Sequence, residues 1–323
     1  MAATIKDVAK LAGVGVGTVS RVLNGGDKVH EETKKTVLNA VKELEYVPNS
    51  MGVRLRTNKN KVIALLIPVI NHPFFSELTN YIEYYAAEQG YSLLLVCSQS
   101  NVHKELDIIY KVKRKEVDGA IFVTHYMHES LELKDCAIVS IDRHLSDSIP
   151  LVTTDNYEAT RKGILYLIEK GCKKIGYIGS KPYVDSEVML REKAYKDVMQ
   201  EKQMPACYLN EIISHGEEAE VVKKFLKLYP DVDGIFVSGY VMSQEIYKEE
   251  LTRGKQIPKD IQIVSYDGIF SEFDQLKLTC IQQPIQKIAE KAVEVLIDLI
   301  QEEPTEQYNE LQTQFIIGNS TKI

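Results

Sequence analysis

Two groups of side chains in this chain are typed and spaced for recognition. The first is Thr18, Ser20 and Arg21 within Val16–Leu23. On a helix, Val19, Val22 and Leu23 form the apolar face, which leaves these three as a hydroxyl-and-guanidinium face. Such a face suits phosphate oxygens, and a guanidinium also bonds bidentately to guanine N7 and O6. Arg21 therefore reads as either a base reader or a phosphate clamp. The second group is Asp142-Arg143, which directly follows the β-branched run Ala137–Ile141. A carboxylate beside a guanidinium at a strand end can bridge the neighbouring hydroxyls of a polyol. Asp155 ends another strand and is expected to line the same cleft. No catalytic constellation accompanies them. G-x-G-x-x-G, P-loop, H-E-x-x-H and nucleophile-elbow motifs are absent. His103, His125, His128 and His144 are scattered and read as surface-loop residues. The five cysteines form no C-x-x-C pair, so neither a zinc site nor a disulfide framework is expected. The reading is of a binding protein, not an enzyme, with no metal and no cofactor.

The elements that must position these groups fall into two styles. Thr4 and Asp7 make a capping-box-like pair, and Ile5, Val8 and Leu11 recur at helical spacing. Gly13 can take the left-handed turn that separates this helix from Val16–Leu23. Two short helices joined this way are a helix-turn-helix, with the second as recognition helix. A third helix is predicted over Lys34–Glu45. Beyond Pro48 the pattern changes to short β-branched strands alternating with amphipathic helices. Strands are predicted at Val62–Ile67, Tyr91–Cys97, Val117–Thr124, Ala137–Ile141, Lys174–Ile178, Asp233–Val237, Ile261–Ser265 and Leu278–Ile281. Helices are predicted at Ser76–Gln89, Lys104–Lys115, Ala159–Lys170, Ser186–Lys202 and Ile285–Gln301. This order predicts parallel sheets with helices on both faces. The run Val117–Val123 is echoed by Val232–Val237, so two similar lobes with a cleft between them are expected, ligands lying beyond the strands' carboxyl ends.

Charge separates the two parts. Residues 1–60 carry a net +4 and the remainder −11, within a total of −7. A basic head on an acidic body directs polyanion contact to one end. No stretch approaches the roughly 20 apolar residues of a membrane span. With no leader-like opening, a cytoplasmic, reduced protein is expected.

The segment TIKDVAKLAGVGVGTVSRVLNG resembles the opening of the LacI/GalR family of bacterial transcription regulators. Val29–Thr33, the third helix and Tyr46-Val47-Pro48-Asn49 resemble that family's third helix and hinge entry. The likeness runs on to Asn319-Ser320-Thr321. The resemblance implies a body like the periplasmic sugar-binding proteins. It implies base reading from the positions of Val16, Gly17 and Arg21, though Gly17 has no side chain and can read nothing directly; Thr18 and Ser20 position the backbone, and Thr4 and Asn24 are further DNA-binding candidates. It implies a hinge over 48–60 in which Leu55, beside Arg56, wedges into the minor groove; the alternative is that Leu55 packs against the body. For the effector it implies Arg191 and Asp267 as polar contacts. Phe74, in the loop after the first strand, either stacks on a sugar ring or belongs to the core. Departures are visible. Gly15 replaces a usual serine, and Gly52-Val53-Arg54 an Ala-Arg-Ser. Gly239-Tyr240 replaces an Asn-Asp pair, so Tyr240 is expected as a substitute contact. Gly318-Asn319 stands where an arginine is usual.

The expectation is therefore a small all-α helix-turn-helix head on a two-lobed α/β body. The division is 1–47 for DNA binding, 48–60 for hinge and linker, and 61–323 for effector binding and dimerisation. The chain reads as a sugar-responsive regulator of carbohydrate-utilisation genes, most readily a repressor. It would bind a pseudo-palindromic operator as a homodimer through the Ser76–Gln89 helix with Tyr81, Tyr84 and Tyr85. A nucleoside or a protein corepressor as effector is one alternative. A sugar receptor with a vestigial head is the other.

Overall fold

The computed structural model describes residues 3–23, 29–46, 60–99, 101–123, 133–182, 186–213, 216–268 and 277–322. It divides the chain into two compact units, 1–59 and 60–323. Asn24, Leu55, Arg56 and the linker 48–59 lie outside the described residues, as do His125 and His128.

The first unit holds α1 (Ile5–Leu11), α2 (Val16–Leu23) and α3 (Glu31–Glu43). Both the amide and the hydroxyl of Thr4 donate to Asp7 Oδ2, at 2.9 and 2.7 Å. That pairing starts α1 and holds the Asp7 carboxyl below its usual range, chiefly through the Thr4 hydroxyl. Gly13, at φ +65°, makes the turn into α2. Val8, Val19, Val22, Val37 and Ala40 meet in a small core. The third helix begins three residues earlier than the sequence pattern suggests. Glu31 and Glu32 occupy its first turn, where acidic side chains complement the helix dipole.

The second unit contains two six-stranded sheets. The first lobe orders its strands β11-β5-β4-β3-β1-β2. These are β1 (Val62–Ile67), β2 (Ser92–Cys97), β3 (Gly119–Phe122), β4 (Ile138–Ile141), β5 (Leu151–Thr154) and β11 (Tyr308–Leu311). All of their pairings are parallel. The helices α4 (Pro73–Glu88), α5 (Val102–Lys113) and α10 (Ile285–Gln301) complete this lobe. The second lobe orders β12-β10-β9-β8-β6-β7. Its strands are β6 (Ile175–Ser180), β7 (Cys207–Glu211), β8 (Gly234–Val237), β9 (Gln262–Tyr266), β10 (Thr279–Gln282) and β12 (Gln314–Ile316). Only β12 pairs antiparallel. Around it lie α6 (Asn156–Glu169), α7 (Met189–Glu201), α8 (Glu218–Leu228) and α9 (Tyr240–Thr252).

The sequence echo has a structural cause. In each lobe an Asp-Gly pair leads into the central strand. Asp118 accepts the amides of Asn60 and Lys61 before β1, and Asp233 those of Lys173 and Lys174 before β6. The glycines that follow have no room for a side chain. A Cβ at Gly119 would sit 2.8 Å from the Ala137 carbonyl oxygen, and one at Gly234 2.7 Å from Cys172 Sγ.

The chain crosses between lobes three times: at β5–α6, at β10–α10 and at β11–β12. The crossings are tied together. Asp155 Oδ1 accepts from the Thr313 amide at 2.9 Å, and the Thr154 hydroxyl lies 3.0 Å from Tyr266 OH. The C-terminal Ser320-Thr321 is likewise structural. Ser320 Oγ accepts from the Thr279 amide and donates to the Ile263 carbonyl, both at 2.7 Å. Among the described residues no helix is long and apolar enough to cross a membrane.

Candidate functional site

The head offers one helix surface. On α2, Val19 and Val22 face the core, leaving Val16, Gly17 and Arg21 exposed and Thr18 and Ser20 half-buried beside them. Thr4 is exposed at the start of α1. Val16 is 42% exposed. The surface combines an apolar contact, a gap and a guanidinium within two turns. Added Cβ atoms at Gly15 and Gly17 would touch nothing within 4 Å, so neither glycine is demanded by packing. The gap at Gly17 instead lets a partner approach the helix backbone.

The second unit holds a cleft between its lobes, enclosing about 210 Å³, with a side recess of about 40 Å³. Asp142 follows β4 and Asp267 follows β9, one from each lobe. Both take the left-handed backbone conformation, at φ +59° and +68°. That conformation is uncommon outside glycine and costs strain, though aspartate tolerates it better than most residues. It turns each carboxylate out of its strand toward the cleft. Thr153 donates to Asp142 Oδ1 at 3.0 Å, and Gln283 to Asp267 Oδ1 at 2.8 Å. Burial raises the pKa of both aspartates, and the nearby Arg191 opposes that rise.

Arg191 is 5% exposed. Its Nε donates to Asn156 Oδ1 at 2.6 Å, and its guanidinium carbon lies 3.3 Å from the centre of the Tyr266 ring. Stacked on one face and tethered at one nitrogen, it keeps a fixed orientation toward the cleft. Arg143 also lines the cleft, and burial pushes its pKa down to about 10.

The structure thus brings Phe74, Asp142, Arg143, Arg191 and Asp267 to one cleft. Phe74 both packs in the first-lobe core, at 7% exposure, and lines the cleft, so the core and stacking readings are not exclusive. Tyr240, the first residue of α9, lines the side recess with Glu77 and Asp267. Asp155 is not among the lining residues; its carboxylate is committed to the crossing segment. Gln283 and Thr153, which hold the aspartates, escaped the sequence reading. So did the apolar wall of Phe75, Val188, Val241 and Met242. No sequence signal marked Gln283, which lies between β10 and α10. Among the described glycines Gly318 has the least room, since a Cβ there would fall 2.0 Å from the Lys277 carbonyl oxygen.

A model of "bacterial regulatory proteins, lacI family" matches residues 4–49, and one of a "periplasmic binding protein-like domain" matches 164–321. The ribose operon repressor of Halalkalibacterium halodurans is 35% identical, covering 99% of this chain and 97% of the relative. A periplasmic binding protein/LacI transcriptional regulator from Alkaliphilus metalliredigens QYMF has been solved with D-xylulofuranose. It is 28% identical with a TM-score of 0.73, over 82% of this chain and 100% of that one. The Lac repressor dimer bound to operator and the anti-inducer ONPF shares the fold. It superposes at a TM-score of 0.86 and 21% identity, over 99% of both chains.

Proposed function

The chain belongs to the LacI family of bacterial regulatory proteins, and on that footing we propose that it is a homodimeric, cytoplasmic repressor whose operator affinity is set by a sugar in the cleft. Members of this family are DNA-binding transcription regulators and not enzymes. The observation that carries the effector reading is the convergence of two aspartates and a stacked arginine between two lobes. Rigid acceptors facing a rigid donor suit neighbouring hydroxyls, because each can bridge two of them. The apolar side chains that share the cleft, Phe75, Val188, Val241 and Met242, suit the less polar face of a sugar ring. The relatives support sugars over nucleosides. One is a ribose operon repressor, and one solved regulator holds D-xylulofuranose. Pentoses therefore lead the panel of ligands to be tried.

At the DNA end, the exposed α2 residues read a half-site, Arg21 bonding guanine and Val16 meeting a thymine methyl. Thr4, Thr18, Ser20 and Asn24 position the backbone. Residues 48–60 form the hinge, with Leu55 as wedge and Arg56 beside it. Gly52 lowers helix propensity by roughly 1 kcal/mol relative to alanine, so the reading expects either a hinge that is harder to order or an operator with an unusual centre. Two heads on a two-fold dimer require a pseudo-palindromic operator. The α4 tyrosines are the proposed dimer contact; Tyr84 is 53% exposed, while Tyr85 OH accepts from Gln286 of α10 at 3.0 Å.

Replacing Arg21 with alanine tests the reading. Operator binding weakens by about 1–3 kcal/mol and discrimination at one base pair relaxes, while sugar binding measured by calorimetry is unchanged. Equal loss on every sequence would reassign Arg21 to a phosphate.

A further inference from the structure

The residues just before α7 do not continue that helix; they reach across to the first lobe. Ser186 forms an isolated antiparallel bridge with Arg143, and its hydroxyl donates to the Asp142 carbonyl at 2.8 Å. Glu187 Oε1 lies 3.0 Å from His144 Nε2. The other oxygen of the same carboxylate, Oε2, accepts from Tyr308 OH on β11 at 3.3 Å. Both oxygens of Glu187 are therefore held by first-lobe residues. The Glu187 side chain is 15% exposed and that of His144 33%, so the contact is partly sheltered from solvent. The three crossings form a covalent pivot. These contacts are separate from it and consist of side chains and one bridge, so they can open without breaking an element. Their placement matters for the cleft. Arg191 lies four residues beyond Glu187, and Asp142 two residues before His144.

We infer that Ser186, Glu187, His144 and Tyr308 form an interlobe latch that holds Asp142 and Arg191 at their closed spacing, with Glu187 and His144 as positioning residues for the effector. The effector part rests on the sugar reading above; the latch itself does not. A lobe pair that closes before the ligand arrives spares the ligand the free energy of closing it, so losing the latch weakens binding by the drop in closed population.

The test compares the full-length protein with His144→Ala, Glu187→Ala and the double variant, each first shown to unfold cooperatively. Hydrogen–deuterium exchange is followed without ligand at His72–Phe75 and Ser238–Met242, cleft segments the latch does not touch. Each single variant accelerates exchange at both segments, and the double variant behaves like either single. D-ribose then binds each variant about five- to tenfold more weakly than wild type in calorimetry. Acceleration confined to residues 142–144 and 186–188, or effects that simply add, overturns the latch. Failure of D-ribose to bind wild type would count against that sugar, while the exchange result still decides the latch.

Discussion

Arg191 is the residue on which the cleft turns. It touches Asn156 with one nitrogen, covers Tyr266 with its plane, and moderates the charge of Asp142 and Asp267. A lysine keeps the charge but has neither the plane nor the Nε donor. Arg191→Lys is expected to weaken effector binding at least about tenfold, the scale of a lost charged hydrogen bond. The protein would still bind operator but respond to effector only at higher concentration, read as a shifted release curve. The aspartates give a pH dependence with a definite sign. Burial raises both pKa values, so both hold protons to higher pH than in an unfolded chain. Their contribution to folding is therefore full below the unfolded value and lost as pH rises through the folded one. A hydroxyl donates more strongly to an ionised carboxylate than to its neutral form, so sugar hydroxyls bonded to these aspartates lower their pKa values. Affinity is then expected to fall as pH drops from neutral into the acid range, with protons released on binding. Calorimetry in buffers of different ionisation enthalpy measures both. At this scale the sequence was informative where a side chain sits at a strand end, as for Asp142 and Asp267. It was silent on Thr153, Gln283 and Asn156, because partners that hold a functional group carry no motif of their own. Asp155 shows the converse, since a strand-end aspartate can equally fasten a chain crossing.

Among elements, the strands of both sheets were legible wherever β-branched runs are buried on both faces. The three that escaped, β7, β11 and β12, are sheet edges, mixed in polarity because one side meets solvent. Helix starts shifted for local reasons. Pro73 begins α4 three residues before the predicted Ser76, since proline suits a first turn whose amides have no partner. The helix predicted from Ser186 begins instead at Met189, because 186–188 are occupied across the cleft. The Val-Asp-Gly echo signalled two lobes correctly, and its carboxylates hold the neighbouring strand. Asp233 accepts three bonds from the Lys173 and Lys174 amides. Replacing it with alanine leaves those amides short of acceptors and is expected to destabilise the body by about 1–3 kcal/mol. Chemical denaturation of the full chain checks this, with operator binding of the folded fraction unaltered.

In the whole molecule the two proposed binding surfaces lie on two separate units, a basic head and an acidic body. Linkage between them is reciprocal: if a sugar loosens operator binding by some factor, operator loosens sugar binding by the same factor. The fold was legible because family motifs span the chain. The effector was not, because Gly239-Tyr240 departs from the usual pair and Tyr240 lines only the side recess. The most direct test is fluorescence anisotropy of the full-length protein on a labelled duplex from its own upstream region. It is run with excess competitor DNA, at two salt concentrations, across a sugar panel led by D-ribose and D-xylulose. The account predicts tight binding that survives the competitor and is released by one sugar, with Arg191→Lys needing more of that sugar. Binding that the competitor removes, that falls steeply with salt for every sequence and that ignores every sugar would contradict it.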